Sequence, residues 1–143
     1  LKSVLIIRTP GMKKPGHPTD ALVQSIDIYP TLAKLCGLTP PKDINGKILI
    51  DLLNNPSLPG PEYALSYNQS YGPPFRGQPR MYAVTLRSRV YRYVQWQKDL
   101  AEGDIFFREL YDHSSDPDET NNLAAKEPKV VKRFEKTLRE NLD

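Results

Sequence analysis

Cysteine is almost absent. Cys36 is the only one in 143 residues, so no disulfide can close within the chain and the redox compartment cannot be read from thiol usage. Long apolar runs are missing too. No stretch nears the roughly 20 apolar residues that cross a bilayer, and none shows the pattern of a secretory signal, so no membrane span is expected. Acidic residues are absent over one whole stretch: Tyr63 to Gln97 holds no Asp or Glu, yet Arg76, Arg80, Arg87, Arg89 and Arg92 all fall there. Such a local positive field attracts anions, whether a sulfated sugar, a phosphate or a carboxylate. The plainer alternative is a solvated sheet face whose arginines pair with acids elsewhere in the chain. A net charge of +3 is too small to imply a nucleic-acid partner by itself.

What is present begins with proline. The 14 prolines are about twice the usual share, and most lie between residues 10 and 79, which predicts a loop-rich region. The length suits one domain or part of a larger one, and the opening on Leu1 rather than Met suggests a fragment, a processed chain or an excerpt of a longer polypeptide. Ser3 to Arg8 is a continuous apolar run whose β-branching suits a strand buried on both faces of an α/β sheet. Residues 10–18 are turn chemistry, with His17 expected in an exposed loop. Ala21 to Ser25 is expected to pair briefly as a strand. Asp27 reads as the N-cap of a helix with Pro30 in its first turn, running through Cys36, with Gly37 past its end. Cys36 has no activating neighbour and reads as a small buried hydrophobe.

Asn45-Gly46-Lys47 is a turn signal ahead of a short helical stretch from Ile48 to Leu53, and Asn54 to Pro61 is a linker by composition. Four strand candidates follow, Tyr63–Asn68, Met81–Arg87, Val90–Gln97 and Phe106–Asp112, rich in β-branched and aromatic residues. The short Arg87-Ser88-Arg89 connection favours an antiparallel hairpin. Residues 69–79 form a longer loop on that scaffold, a common place for ligand contacts. Asp116 to Asn122 is rich in oxygen ligands but lacks EF-hand spacing, and reads as a turn closed by its own Asp and Asn side chains. A last helix starts near Pro128, where Val130 or Val131, Phe134, Leu138 and Leu142 repeat at helical spacing. The architecture expected is α+β: a strand and helix from a larger core over residues 1–61, linker included, then a four-stranded antiparallel sheet with a C-terminal helix on one face over 62–143.

Three groups of residues carry a family resemblance, in order: the Ser3–Arg8 run with its Pro10-Gly11 exit; Ser25-Ile26-Asp27-Ile28-Tyr29-Pro30-Thr31-Leu32 with Gly37-Leu38; and Glu109-Leu110-Tyr111-Asp112 followed by Asp116-Pro117-Asp118-Glu119-Thr120-Asn121-Asn122-Leu123. Together with Tyr91-Arg92-Tyr93 and Trp96, they resemble the C-terminal part of type I sulfatases and are most similar to the iduronate-2-sulfatase branch. The resemblance implies an alkaline-phosphatase-like α/β core, of which this chain holds the edge. It also implies a parent that hydrolyses sulfate esters of uronate-containing glycans with a formylglycine and a divalent metal, calcium, in a periplasmic, secreted or lysosomal setting. In that family the nucleophile arises within a Cys-x-Pro-x-Arg motif. Leu35-Cys36-Gly37-Leu38-Thr39 does not match it, so no catalytic residue, metal ligand or bound cofactor is assigned to this chain, which is expected to be inactive alone. Its partners are then the N-terminal catalytic part of the same protein and a sulfated glycan.

For that glycan, Arg76 and Arg80 are the candidate contacts to a carboxylate or sulfate, because guanidinium forks match planar anions. Tyr71 and Phe75 are the candidates to stack on a sugar face. The alternatives are a non-catalytic module that binds anionic glycans or nucleic acid through Arg76 to Arg92, and a purely structural tail.

Overall fold

The computed structural model describes residues 3–70, 81–98 and 104–142. It divides into two compact units, Leu1–Glu62 and Tyr63–Asp143.

The first unit is organised by Asp27 and Thr31. Ser25–Asp27 form a 3-10 turn that runs straight into α1, Ile28–Leu35, and a short α2 follows at Ile50–Asn54. The Asp27 side chain does not cap α1. Its carboxylate is buried and instead accepts the backbone N–H of Gln24 and of Lys47, each at 2.8 Å. One turn on, the Thr31 hydroxyl donates to the Asp27 carbonyl at 2.6 Å and accepts the Leu49 N–H at 2.9 Å. Two side chains of α1 and its entry thus satisfy backbone donors about 20 residues away, which a buried loop must have. Gly46 lies inside this contact. A Cβ there would stand 2.1 Å from the Ile26 carbonyl oxygen, so glycine is required by close approach. Past α1, Gly37 takes φ +76, and the Gly37 and Leu38 N–H groups bond back to the Lys34 and Ala33 carbonyls, the expected left-handed helix stop.

Three expectations are corrected in this unit. Ser3–Arg8 forms no strand, and Val4 and Ile6 are 89% and 85% exposed; a strand needs a ladder partner, and among the described residues it has none. Ala21–Ser25 is likewise unpaired, because the chain is already turning into the 3-10 segment. Cys36 is exposed rather than buried, since it sits at the C-cap, while the buried side chains of α1 are Pro30 and Thr31.

The second unit is a meander of β1 (Ala64–Ser70), β2 (Met81–Arg87), β3 (Tyr91–Gln97) and β4 (Ile105–Asp112), antiparallel throughout and in chain order, followed by α3 (Pro128–Leu142). Residue alternation puts Leu65, Leu86, Tyr93 and Leu110 directly opposite one another, a single apolar row across all four strands. Val131, Phe134 and Leu138 of α3 pack on this face. Phe134 is fully buried among Tyr63, Tyr91 and Tyr93, with ring centroids 5.8, 6.2 and 5.8 Å away, and such a burial contributes about 1.5–3 kcal/mol. The Leu142 side chain lies outside the described residues. Further along the sheet the same face turns polar: Gln69 donates to the Tyr82 hydroxyl at 3.1 Å and Gln95 to the Gln97 side-chain oxygen at 2.5 Å. Near that end Phe106 is the extra residue of a bulge, since Trp96 pairs Phe107 while Gln97 pairs Ile105.

The outer edge of β4 is closed by Asn122. Its Oδ1 accepts the N–H groups of Leu110 and Ala124 at 3.0 and 2.9 Å, its Nδ2 donates to the Arg108 carbonyl at 3.0 Å, and the Leu123 N–H reaches the Leu110 carbonyl at 2.8 Å. Over Arg108 to Leu110 the edge is therefore already paired and is no template for a further strand.

Two outcomes follow from these contacts. Gly46→Ala is expected to destabilise the first unit by about 1–3 kcal/mol through overpacking, read as a lower denaturation midpoint. Asn122→Ala strands two backbone donors and one acceptor and is expected to cost about 2–3 kcal/mol, with faster amide exchange at Leu110.

Candidate functional site

The four candidates singled out in the 69–80 region, Tyr71, Phe75, Arg76 and Arg80, lie outside the described residues. The arginines around them do not. On the sheet face away from α3, Arg87 stands opposite Arg92, and Arg92 opposite Tyr111. Like charges directly opposite repel, and no carboxylate is near in sequence to relieve them.

The relief comes from the turn after β4. Glu119 takes a left-handed backbone, φ +58, unusual for a residue with a Cβ. There its carboxylate accepts from Arg92 Nη2 and sits 2.5 Å from His113 Nε2. The Arg92 guanidinium lies over the Tyr111 ring at 5.4 Å. The Tyr111 hydroxyl donates to one oxygen of Glu109 at 3.0 Å and Trp96 Nε1 donates to the other at 2.7 Å. Asp116 shapes the turn itself: its carboxylate accepts Thr120 N–H and Oγ1–H, both at 3.0 Å, and Asn121 N–H at 2.9 Å. The oxygen-rich segment therefore closes on its own side chains, as the spacing predicts.

Titration behaviour follows the geometry. Burial acts to raise the Glu119 carboxyl, but hydrogen bonds from Arg92 and His113 and their charges outweigh it and hold the group below its ordinary value. Burial lowers Arg87; the Arg92 charge adds to that, and Glu119 opposes it. Burial, then the Glu109 carboxylate, push Tyr111 up to about 12. Asp116 is lowered by the backbone bonds from Thr120 and Asn121.

Chemically this is a clasp. Arg92 and Glu119 are 27 residues apart in sequence, and their pairing ties the exit of β4 to β3. Among the described residues, no group of three or more His, Cys, Asp or Glu side chains gathers to hold a metal. Sequence reasoning missed His113 and Glu119. The available signal was the acid-rich run directly after β4, following three strands that carry arginines without acids. Among the described residues no helix is long and apolar enough to cross a membrane.

The fold and the order of the motifs define a sulfatase C-terminal domain. A family model described as N-sulphoglucosamine sulphohydrolase, C-terminal, matches residues 1–143, and the chain belongs to that family. It is 30% identical over 141 residues to arylsulfatase K of Xenopus laevis, covering 97% of this chain and 25% of that protein. It is 27% identical over 147 residues to N-acetylglucosamine-6-O-sulfatase of Bacteroides thetaiotaomicron, covering 97% and 25%. A protein solved in complex with its substrate, D-glucosamine-2-N,6-O-disulfate, superposes with a TM-score of 0.71 at 27% identity, over 95% of this chain and 27% of that one. The chain spans about a quarter of the length of these curated relatives. The resemblance to sulfatases holds at family level; none of these relatives is named for iduronate.

One outcome tests the clasp. A carboxyl whose folded pKa is depressed contributes stability above its ordinary value, here 4.5, and loses it as pH falls through the depressed one. Glu119→Gln is expected to lower the melting temperature at pH 7, and the gap to the parent is expected to close on acidification below about pH 4.5.

Proposed function

We propose that this chain is the C-terminal portion of a sulfuric ester hydrolase acting on sulfated glycans, where it completes the fold and forms one wall of the substrate cleft. The observation that carries the reading is the family match along all 143 residues. Within this structure Asp27 and Gly46 lock the first unit, and Glu119 and Asn122 lock the second.

The nucleophile, as formylglycine in a Cys-x-Pro-x-Arg motif, and the divalent metal, calcium, are assigned to the N-terminal catalytic part of the same protein. This chain supplies neither. By itself it is inactive. Arg76 and Arg80 are assigned to an anionic group of the substrate, and Tyr71 and Phe75 to a sugar face. The names of the relatives favour a sulfated amino sugar. Iduronate 2-sulfate rests on motif likeness alone and is the second substrate in the test.

The natural polypeptide is isolated, its intact mass is measured and its peptides are mapped. A formylglycine peptide upstream of Leu1 is expected, with sulfate release from glucosamine 6-sulfate or N-sulfoglucosamine. Arg80→Ala is expected to raise KM by roughly tenfold or more, the scale of one charged hydrogen bond. Release from iduronate 2-sulfate alone would move the substrate to the uronate class. Absence of both formylglycine and sulfate release would overturn the enzyme reading.

A further inference from the structure

α3 has two faces of different character. At about 100° per residue, Val131, Phe134 and Leu138 point together into the core. Lys129, Lys132, Arg133, Lys136 and Arg139 fall within an arc of roughly 120° on the opposite side, and all five are exposed. They run along about 15 Å of helix, close to two cations per turn.

The helix's own acids scarcely offset them. Glu135 is turned toward the sheet, where its Oε1 accepts from Arg108 Nε at 2.6 Å and from the Tyr93 hydroxyl at 3.4 Å. Glu140 is the one carboxylate within the arc, and it stands 3.7 Å from Lys136 with both side chains more than half exposed, a pairing that contributes little. The strip is therefore a net positive row.

We propose that this outer face of α3 is a docking strip for a sulfated glycan chain. The choice of ligand rests on the sulfated-glycan reading above; the strip itself rests on the charge arrangement. Regularly spaced cations on a straight element match a polymer with repeating anionic groups, and they concentrate it near the protein by long-range attraction. The arrangement does not suit a lipid surface. A helix that lies in a membrane interface exposes an apolar face beside its basic one, whereas the apolar face of α3 is buried against the sheet.

The test uses the full-length natural protein and a heparin-derived dodecasaccharide. The parent is expected to bind it with an affinity that falls steeply as salt rises. The triple variant Lys129→Glu, Lys132→Glu, Lys136→Glu is expected to bind at least tenfold more weakly at the same salt, and the neutral triple to Gln at least threefold more weakly. The triple to Arg is expected to stay within twofold. Binding by both the Glu and Gln variants within twofold of the parent would overturn the strip, and the Gln variant alone decides it if the Glu variant does not fold. Equal binding of duplex DNA of matching charge would overturn the glycan assignment. Sulfate release by the parent separates the two readings. A parent that releases sulfate while the variants bind undiminished sinks the strip alone; a parent that releases none while the variants lose binding sinks the enzyme reading and leaves the strip.

Discussion

The pairing of Glu119 with Arg92 and His113 is the contact on which the second unit turns. A sheet with Arg87 opposite Arg92 and no acid in its first three strands holds unrelieved repulsion until a carboxylate arrives from elsewhere. It arrives from the chain that leaves β4, and only with Glu119 in a left-handed conformation. Strain of that kind costs on the order of 1–3 kcal/mol and persists where surrounding contacts over-determine it. Asp116 holds the turn from one side, and Asn122 stitches its exit to β4 from the other. Leu123 and Ala124 then pack against the core, and the chain is delivered to Pro128 in position to lay Phe134 on the tyrosines of the sheet. Charge relief, edge closure and helix docking are thus consecutive steps along some 20 residues of chain.

The sheet face under α3 is graded rather than uniform. Its apolar row, Leu65 to Leu110, lies where Phe134 and Leu138 cover it, and the rows beyond carry Gln95, Arg108, Gln69, Tyr82 and Gln97. Buried amides such as Gln95 and Gln97 are tolerable only when bonded, and here they bond each other. Burial and the neighbouring Glu135 carboxylate raise the Tyr93 hydroxyl, so it remains a donor within this network. The polar rows lie toward the end where β1 stops and β2 begins, the two strand ends that bound the segment carrying Tyr71, Phe75, Arg76 and Arg80.

β-branched and aromatic content made the four strands readable, and the apolar repeat made α3 readable, because both are local signals. Ser3–Arg8 shows the limit of that reasoning. Its residues favour a strand, but a ladder requires a partner, and composition does not supply one. Cys36 was misplaced by one helical step, enough to move it from the apolar stripe to the cap. The clasp was the least legible feature. Arg92 and Glu119 read separately as part of a cationic patch and part of a turn; their union depends on the β3–β4 register and on one left-handed residue, neither of which is written in adjacent letters.

Placing acids and arginines in different stretches of the chain has a consequence for function. Arg92 is engaged by Glu119, and Arg108 by Glu135, so neither is a free cation awaiting a ligand. The positive character of this domain is therefore best sought where no structural carboxylate meets it: along the outer face of α3, and in the Arg76–Arg80 segment assigned to the cleft wall. Internal pairing fixes the scaffold, and the cations on the outer face of α3 stay exposed. That division lets one domain carry many arginines in paired positions and still expose positive charge on a separate face.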